Sequence, residues 1–132
     1  VNYVVDASIA VEYLLRTAIG RQAAPLLQDA ILLAPELLDV EVLSVLRRAV
    51  LRQRLEEQRA LLALADLVAW PVDRIPHREL AMEAWRLRQN VSAYDAFYVA
   101  AARLYEATLL TADGPLSRAP NVGIMIHNIW LG

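Results

Sequence analysis

Short β-branched or apolar runs alternate with helix-length stretches along this chain, and that alternation leaves few architectures open. Asn2-Tyr3-Val4-Val5 is followed by apolar residues at Ile9, Ala10, Tyr13 and Leu14 within 7–16, so a strand is predicted to feed a helix. A second helix over 20–30 precedes a short strand at Ile31-Leu32-Leu33, after which Pro35 is well placed to begin a third helix. Further helices are predicted over 56–69, 77–89 and 92–106. Further strands are predicted over 70–75, interrupted by Pro71, at Thr108-Leu109-Leu110-Thr111, and at Gly123-Ile124-Met125-Ile126, with a turn at Ala112-Asp113-Gly114-Pro115. Strands separated by helices predict an α/β fold: a parallel sheet of four or five strands, helices on both faces and right-handed crossovers.

The chain has 132 residues, the size of one ordinary domain, and a single domain over 1–132 is expected. Hydrophobic residues make up 58% against 21% charged, which excludes a disordered or fibrous chain. No apolar run approaches the roughly 20 residues that a bilayer helix requires, and an acid at residue 6 argues against a signal peptide. The absence of cysteine excludes disulfides and thiolate metal sites and agrees with a cytoplasmic protein. All 13 basic residues are arginine, so chemistry that depends on a lysine ammonium is excluded as well. At a net charge of −2, any nucleic-acid binding must rest on a local arginine patch.

Within that frame, four carboxylates stand out. Asp6 and Asp113 follow predicted strands, Asp95 lies near a helix start, and Glu41 sits in the third helix beside Val40, Val42 and Leu43. Acids placed after separate parallel strands can meet in the crevice at the strands' carboxyl ends. Each has a local explanation too. Asp6 can cap the helix that follows it, Asp95 completes a capping-box spacing with Ser92, and Asp113 suits its turn. Glu41 is harder to explain locally. Its helix is apolar around much of its circumference and is expected to be largely buried, so the carboxylate should border a polar cavity or meet a cation.

Four carboxylates in one pocket repel each other, and at least one pKa should rise unless a divalent cation relieves them. Mg²⁺ or Mn²⁺, held by carboxylates and water, suits phosphodiester hydrolysis by an activated water.

The blocks Val4-Val5-Asp6-Ala7-Ser8, Pro35-Glu36-Leu37-Leu38-Asp39-Val40-Glu41-Val42-Leu43 with Leu46-Arg47-Arg48, Ser92-Ala93-Tyr94-Asp95-Ala96-Phe97-Tyr98-Val99-Ala100, and Leu110-Thr111-Ala112-Asp113 occur in an order and context that resemble the PIN-domain ribonucleases. The resemblance is greatest to the VapC toxins of bacterial toxin–antitoxin pairs and covers nearly the whole chain. It implies the PIN-domain fold and metal-dependent endoribonuclease activity on structured RNA such as transfer or ribosomal RNA, leaving 5′-phosphate and 3′-hydroxyl ends. It also implies a homodimer held silent by a VapB-like antitoxin. Asp6, Glu41 and Asp95 fall on the family's firmest acidic positions, as metal ligands or as carboxylates holding metal-bound water, and Asp113 falls on a fourth, more variable one. Gly114, Pro115 and Ser117 stand where an additional acid can occur, which leaves a second metal open. Ser8 matches a hydroxyl position near the first acid, with a metal-bound water or a phosphate as its partner, or a helix start as its only role. Thr111 either lines the site or is simply a strand residue.

Helical geometry adds Arg48 and Arg52, which lie at i+7 and i+11 from Glu41 and share its face. They either lead RNA phosphates toward the acids or form an ordinary solvated helix end. Tyr94 and Tyr98 at helical spacing suit core or dimer contacts better than base stacking. His77 and His127 match no metal-binding or catalytic motif. Two other functions stay open: a PIN-like module that binds RNA or protein without cleaving, and a receiver or phosphatase domain phosphorylated on aspartate, which the missing lysine disfavours.

Overall fold

The first strand that the sequence predicts, β1 (Asn2–Val5), is the central strand of a five-stranded sheet. In the computed structural model, which describes residues 1–118 and 122–129, β1 pairs with β2 (Ile31–Pro35) and β4 (Thr108–Thr111). β3 (Val72–Ile75) and β5 (Ile126–Asn128) form the edges, giving the order β3-β2-β1-β4-β5 with every pairing parallel. Val4, Val5, Leu32, Leu33, Leu109 and Leu110 are all buried, as expected of parallel strands covered on both faces. Helices α1 (Ala7–Leu14), α2 (Ala18–Gln28), α3 (Leu37–Leu51) and α4 (Glu57–Ala69) pack as one group around α1. In the other group α5 (His77–Arg86) packs on α6 (Ala93–Leu104), which lies across β1, β2 and β4. Gly20 permits the close approach of α2 to α1, because a Cβ there would lie 2.0 Å from the carbonyl oxygen of Glu12.

Three local expectations are corrected. The third helix is not buried around its circumference: Leu38, Val42 and Leu46 form one buried stripe, whereas Val40 is 65% and Leu43 50% exposed. Apolar composition alone does not show which face meets a neighbour. The last strand begins at Ile126, not Gly123, because Gly123 takes a left-handed turn (φ 69°) and Asn128 ties the strand's end to the Asp113 carbonyl oxygen and the Ser117 hydroxyl. The Ala112–Pro115 turn opens a one-turn helix, α7 (Gly114–Ser117), with Asp113 as its N-cap.

The sheet reverses direction of growth at β1. From β1 the chain builds outward through β2 to β3 on one side, and later places β4 and β5 on the other. The carboxyl ends of β1 and β4 therefore border the switch point at which open α/β sheets form their ligand crevice.

Candidate active site

Asp6 leaves β1 directly at that switch point. It is 5% exposed and N-caps α1, its Oδ1 accepting the Ile9 amide at 3.1 Å. The Ser8 hydroxyl donates to the same oxygen at 2.6 Å. The Thr111 hydroxyl, from the end of β4, donates to Oδ2. Each hydroxyl also accepts an amide from the neighbouring loop: Ser8 Oγ from Ala112 and Thr111 Oγ1 from Asp113, both at 2.9 Å. Ser8 and Thr111 thus stitch the two central strands together and fix the orientation of Asp6.

Asp113 lies two residues beyond β4, its Oδ1 accepting the Leu116 amide at 3.5 Å. Asp95 occupies the first turn of α6, where Ser92 Oγ accepts its amide at 3.2 Å, so the capping spacing read from the sequence is present. The carboxylates nevertheless act on one another. Burial raises Asp6 from 3.8 to about 6 despite hydrogen bonds from Ser8, Thr111 and Ile9, and the charge of Asp113 pushes in the same direction. Burial and then Asp113 raise Asp95 as well, with Ser92 opposing. Two of the acids, Asp6 and Asp113, are therefore themselves helix caps, and Asp95 lies in the first turn of a third helix. The amino-terminal ends of α1, α6 and α7 bring their positive dipole ends to the acids and offset part of the repulsion.

Glu41 reaches the cluster from α3. Its Oε1 accepts a 2.6 Å hydrogen bond from the Tyr98 hydroxyl, on α6 one turn after Asp95. Tyr98 is 1% exposed, and burial, the bond to Glu41 and the charges of Glu41, Asp6 and Asp95 all push its phenol upward. These causes favour the neutral phenol, which donates, and its surroundings link it to three of the four acids. Tyr98 is in the core, as its helical spacing predicts, and the sequence trace of its contact with Glu41 is its position three residues after Asp95. His77 has a role that no motif showed. Its Nε2 accepts the Leu37 amide at 2.8 Å, capping α3 at an end where Glu36 makes no side-chain cap.

The remaining candidates are not drawn into the cluster. Arg48 and Arg52 are exposed at the carboxyl end of α3, with Arg52 as its C-cap. A rise of about 1.5 Å per residue puts them roughly 10 and 16 Å along the axis from Glu41. Tyr94 is 62% exposed. Among the described residues, the ion pairs are Arg74–Asp39, Arg86–Glu83 and Arg103–Glu83, so no arginine neutralises Asp6, Glu41, Asp95 or Asp113.

A parallel sheet in the order β3-β2-β1-β4-β5, with an acid just beyond each of the two strands at its switch point, defines a class of protein. Residues 3–122 match the PIN domain family, to which the chain belongs. Its relatives are VapC proteins: the chain is 43% identical over 122 residues to Ribonuclease VapC1 of Mycobacterium tuberculosis, covering 90% of this chain and 91% of that protein. Two solved structures share the fold. One is VapBC2 from Rickettsia felis bound to a DNA fragment from its promoter (TM-score 0.66, 15% identity, covering 97% of this chain and 98% of the other). The other is a toxin–antitoxin complex from Klebsiella pneumoniae (TM-score 0.62, 18% identity, covering 96% and 97%).

Proposed function

We propose that the chain is a Mg²⁺- or Mn²⁺-dependent endoribonuclease that hydrolyses RNA phosphodiester bonds with an activated water. The observation that carries this reading is the meeting of Asp6 and Asp113 at the ends of β1 and β4 with Asp95 close enough to feel the same charge. The donor set fits a hard cation: the four side chains offer only oxygen, and Asp6 carries an unfavourable buried charge that a cation would relieve. Among the described residues no three Asp, Glu, His or Cys side chains are grouped closely enough to hold an ion between them. The fit is therefore to an ion that keeps several of its own waters, as Mg²⁺ does with one or two carboxylates.

When bound, the ion supplies charge neutralisation at the phosphate and a more acidic water. Asp6, Glu41, Asp95 and Asp113 are the residues that would hold it, one or two directly and the others through its waters. Ser8 and Thr111 keep Asp6 turned toward the crevice. Glu41, with Oε1 taken by Tyr98, would turn Oε2 to the ion or to one of the waters it keeps. Arg48 and Arg52 extend a positive track along α3 for the RNA backbone.

Partners belong to the same reading. The relative is named a ribonuclease, and one fold neighbour was solved as a toxin–antitoxin complex; by analogy this chain acts on transfer or ribosomal RNA in the cytoplasm and is silenced by a VapB-like antitoxin. A homodimer is the matching assembly, and the exposed Met82 and Trp85 of α5 and Tyr94 of α6 are apolar side chains that a second copy would cover.

The test is cleavage of total bacterial RNA by the purified protein with Mn²⁺. Discrete fragments lost on chelation and in both Asp6→Asn and Asp95→Asn are expected. Full-rate cleavage by both variants would overturn the assignment, and RNA binding by a folded protein that never cuts would favour a binding module.

A further inference from the structure

We infer that Tyr98 is a positioning residue, acting through Glu41 to set the affinity of the acid cluster for its cation. The inference rests on the reading of the site given above and adds a residue to it. Glu41 is the acid with the weakest hold of its own. Asp6 accepts three hydrogen bonds from Ser8, Ile9 and Thr111, and the Asp113 side chain caps α7. Asp95 has Ser92 beside it. Glu41 has one hydrogen bond among the described residues, the 2.6 Å contact to the Tyr98 hydroxyl across 57 residues of sequence.

Geometry makes that single contact decisive. Glu41 is half-buried on a helix whose other face is open to solvent, and a long flexible carboxylate gains hydration by swinging outward to water. The Tyr98 hydroxyl opposes this swing. Tyr98 is itself buried on α6, which packs across three strands of the sheet. Because Asp95 lies one helical turn earlier, α6 carries one acid and the tether of another, so the separation of the two is set by one rigid element. A bond of this kind orients a group without meeting the cation, and losing such an outer partner typically lowers metal affinity by about 10–100-fold.

The alternative is that Glu41 merely satisfies a buried phenol. The two roles separate in a cycle of Tyr98→Phe, Glu41→Gln and the double variant, with Mn²⁺ affinity read by titration calorimetry and folding by circular dichroism. Tyr98→Phe is expected to weaken Mn²⁺ binding about 10-fold or more, and to lower kcat at subsaturating Mn²⁺ while KM for RNA holds. In the Glu41→Gln background the same change should have no further effect. Wild-type affinity in a folded Tyr98→Phe protein, or full additivity in the double variant, would overturn the inference while leaving the site intact. Glu41→Asp is the second variant, since a carboxylate one methylene shorter cannot reach the phenol; it should weaken Mn²⁺ binding as Tyr98→Phe does, and wild-type affinity would count against the inference. Absence of saturable Mn²⁺ binding by the wild type would overturn the reading of the site and this inference with it.

Discussion

Thr111, at the end of β4, donates its hydroxyl to Oδ2 of Asp6, at the end of β1, across 105 residues of sequence. The same hydroxyl accepts the Asp113 amide, so one side chain ties together two acids and two strands. Thr111→Val keeps the shape and removes both bonds. It should destabilise the protein by about 1–3 kcal/mol, the cost of leaving buried polar groups without partners, and should lower cleavage about 10-fold or more by freeing Asp6. Urea denaturation and RNA cleavage rates measure the two effects, and an unchanged midpoint would contradict this role.

Asp6 predicts an unusual pH dependence for the metal-free protein. Its native pKa is about 6 against 3.8 in the reference state, so the folded form binds more protons between these values. Stability is therefore greatest below about pH 4 with respect to this group, and falls as pH rises toward about 6, by about 3 kcal/mol in all. Asp95 shifts in the same direction and adds to the slope. Asp6→Asn should flatten the slope and raise the melting temperature at neutral pH while abolishing cleavage. Added Mn²⁺ should restore wild-type stability at neutral pH and leave the variant little changed. Melting curves from pH 4 to 8, with and without Mn²⁺, check each point.

Arg48 and Arg52 should matter for RNA association and not for chemistry. Replacing both by alanine is expected to raise KM for RNA with little change in kcat, and to reduce the slope of log affinity against log salt by about one per lost phosphate contact. An unchanged slope would leave them an ordinary solvated helix end.

Glu106 ends α6 with a left-handed backbone (φ 52°), and the next amide, Ala107, closes onto Ala102 at 2.9 Å. This helix-end geometry favours glycine. Glu106→Gly should stabilise the fold by up to about 1 kcal/mol without altering cleavage, measured by chemical denaturation.

The sheet and the aspartates were legible for related reasons. Val4, Val5, Leu109 and Leu110 form short apolar runs bounded by Asp6 and by the Ala112–Pro115 turn, and a parallel sheet forces such runs together. Asp6 and Asp113 cap helices, and Asp95 lies in the first turn of the helix that Ser92 caps; helix starts are also where the crevice forms. What escaped the sequence depends on long-range packing. Nothing local says that Tyr98 meets Glu41, since the contact arises only when α3 and α6 lie against the sheet. The cap on α3 is supplied by His77, 40 residues away, and the only local trace was a helix start lacking Ser, Thr, Asp or Asn. The open face of α3 is not legible in the sequence because Val40 and Leu43 are as apolar as Val42, and only tertiary contact distinguishes them.

The central claim is that water, and not the RNA 2′-hydroxyl, attacks phosphorus at these acids. Cleavage in ¹⁸O-labelled water with Mn²⁺, followed by mass spectrometry of the fragment ends, tests it most directly. The account predicts 5′-phosphate ends carrying one ¹⁸O and 3′-hydroxyl ends; 2′,3′-cyclic phosphates with 5′-hydroxyl ends and no label would contradict it.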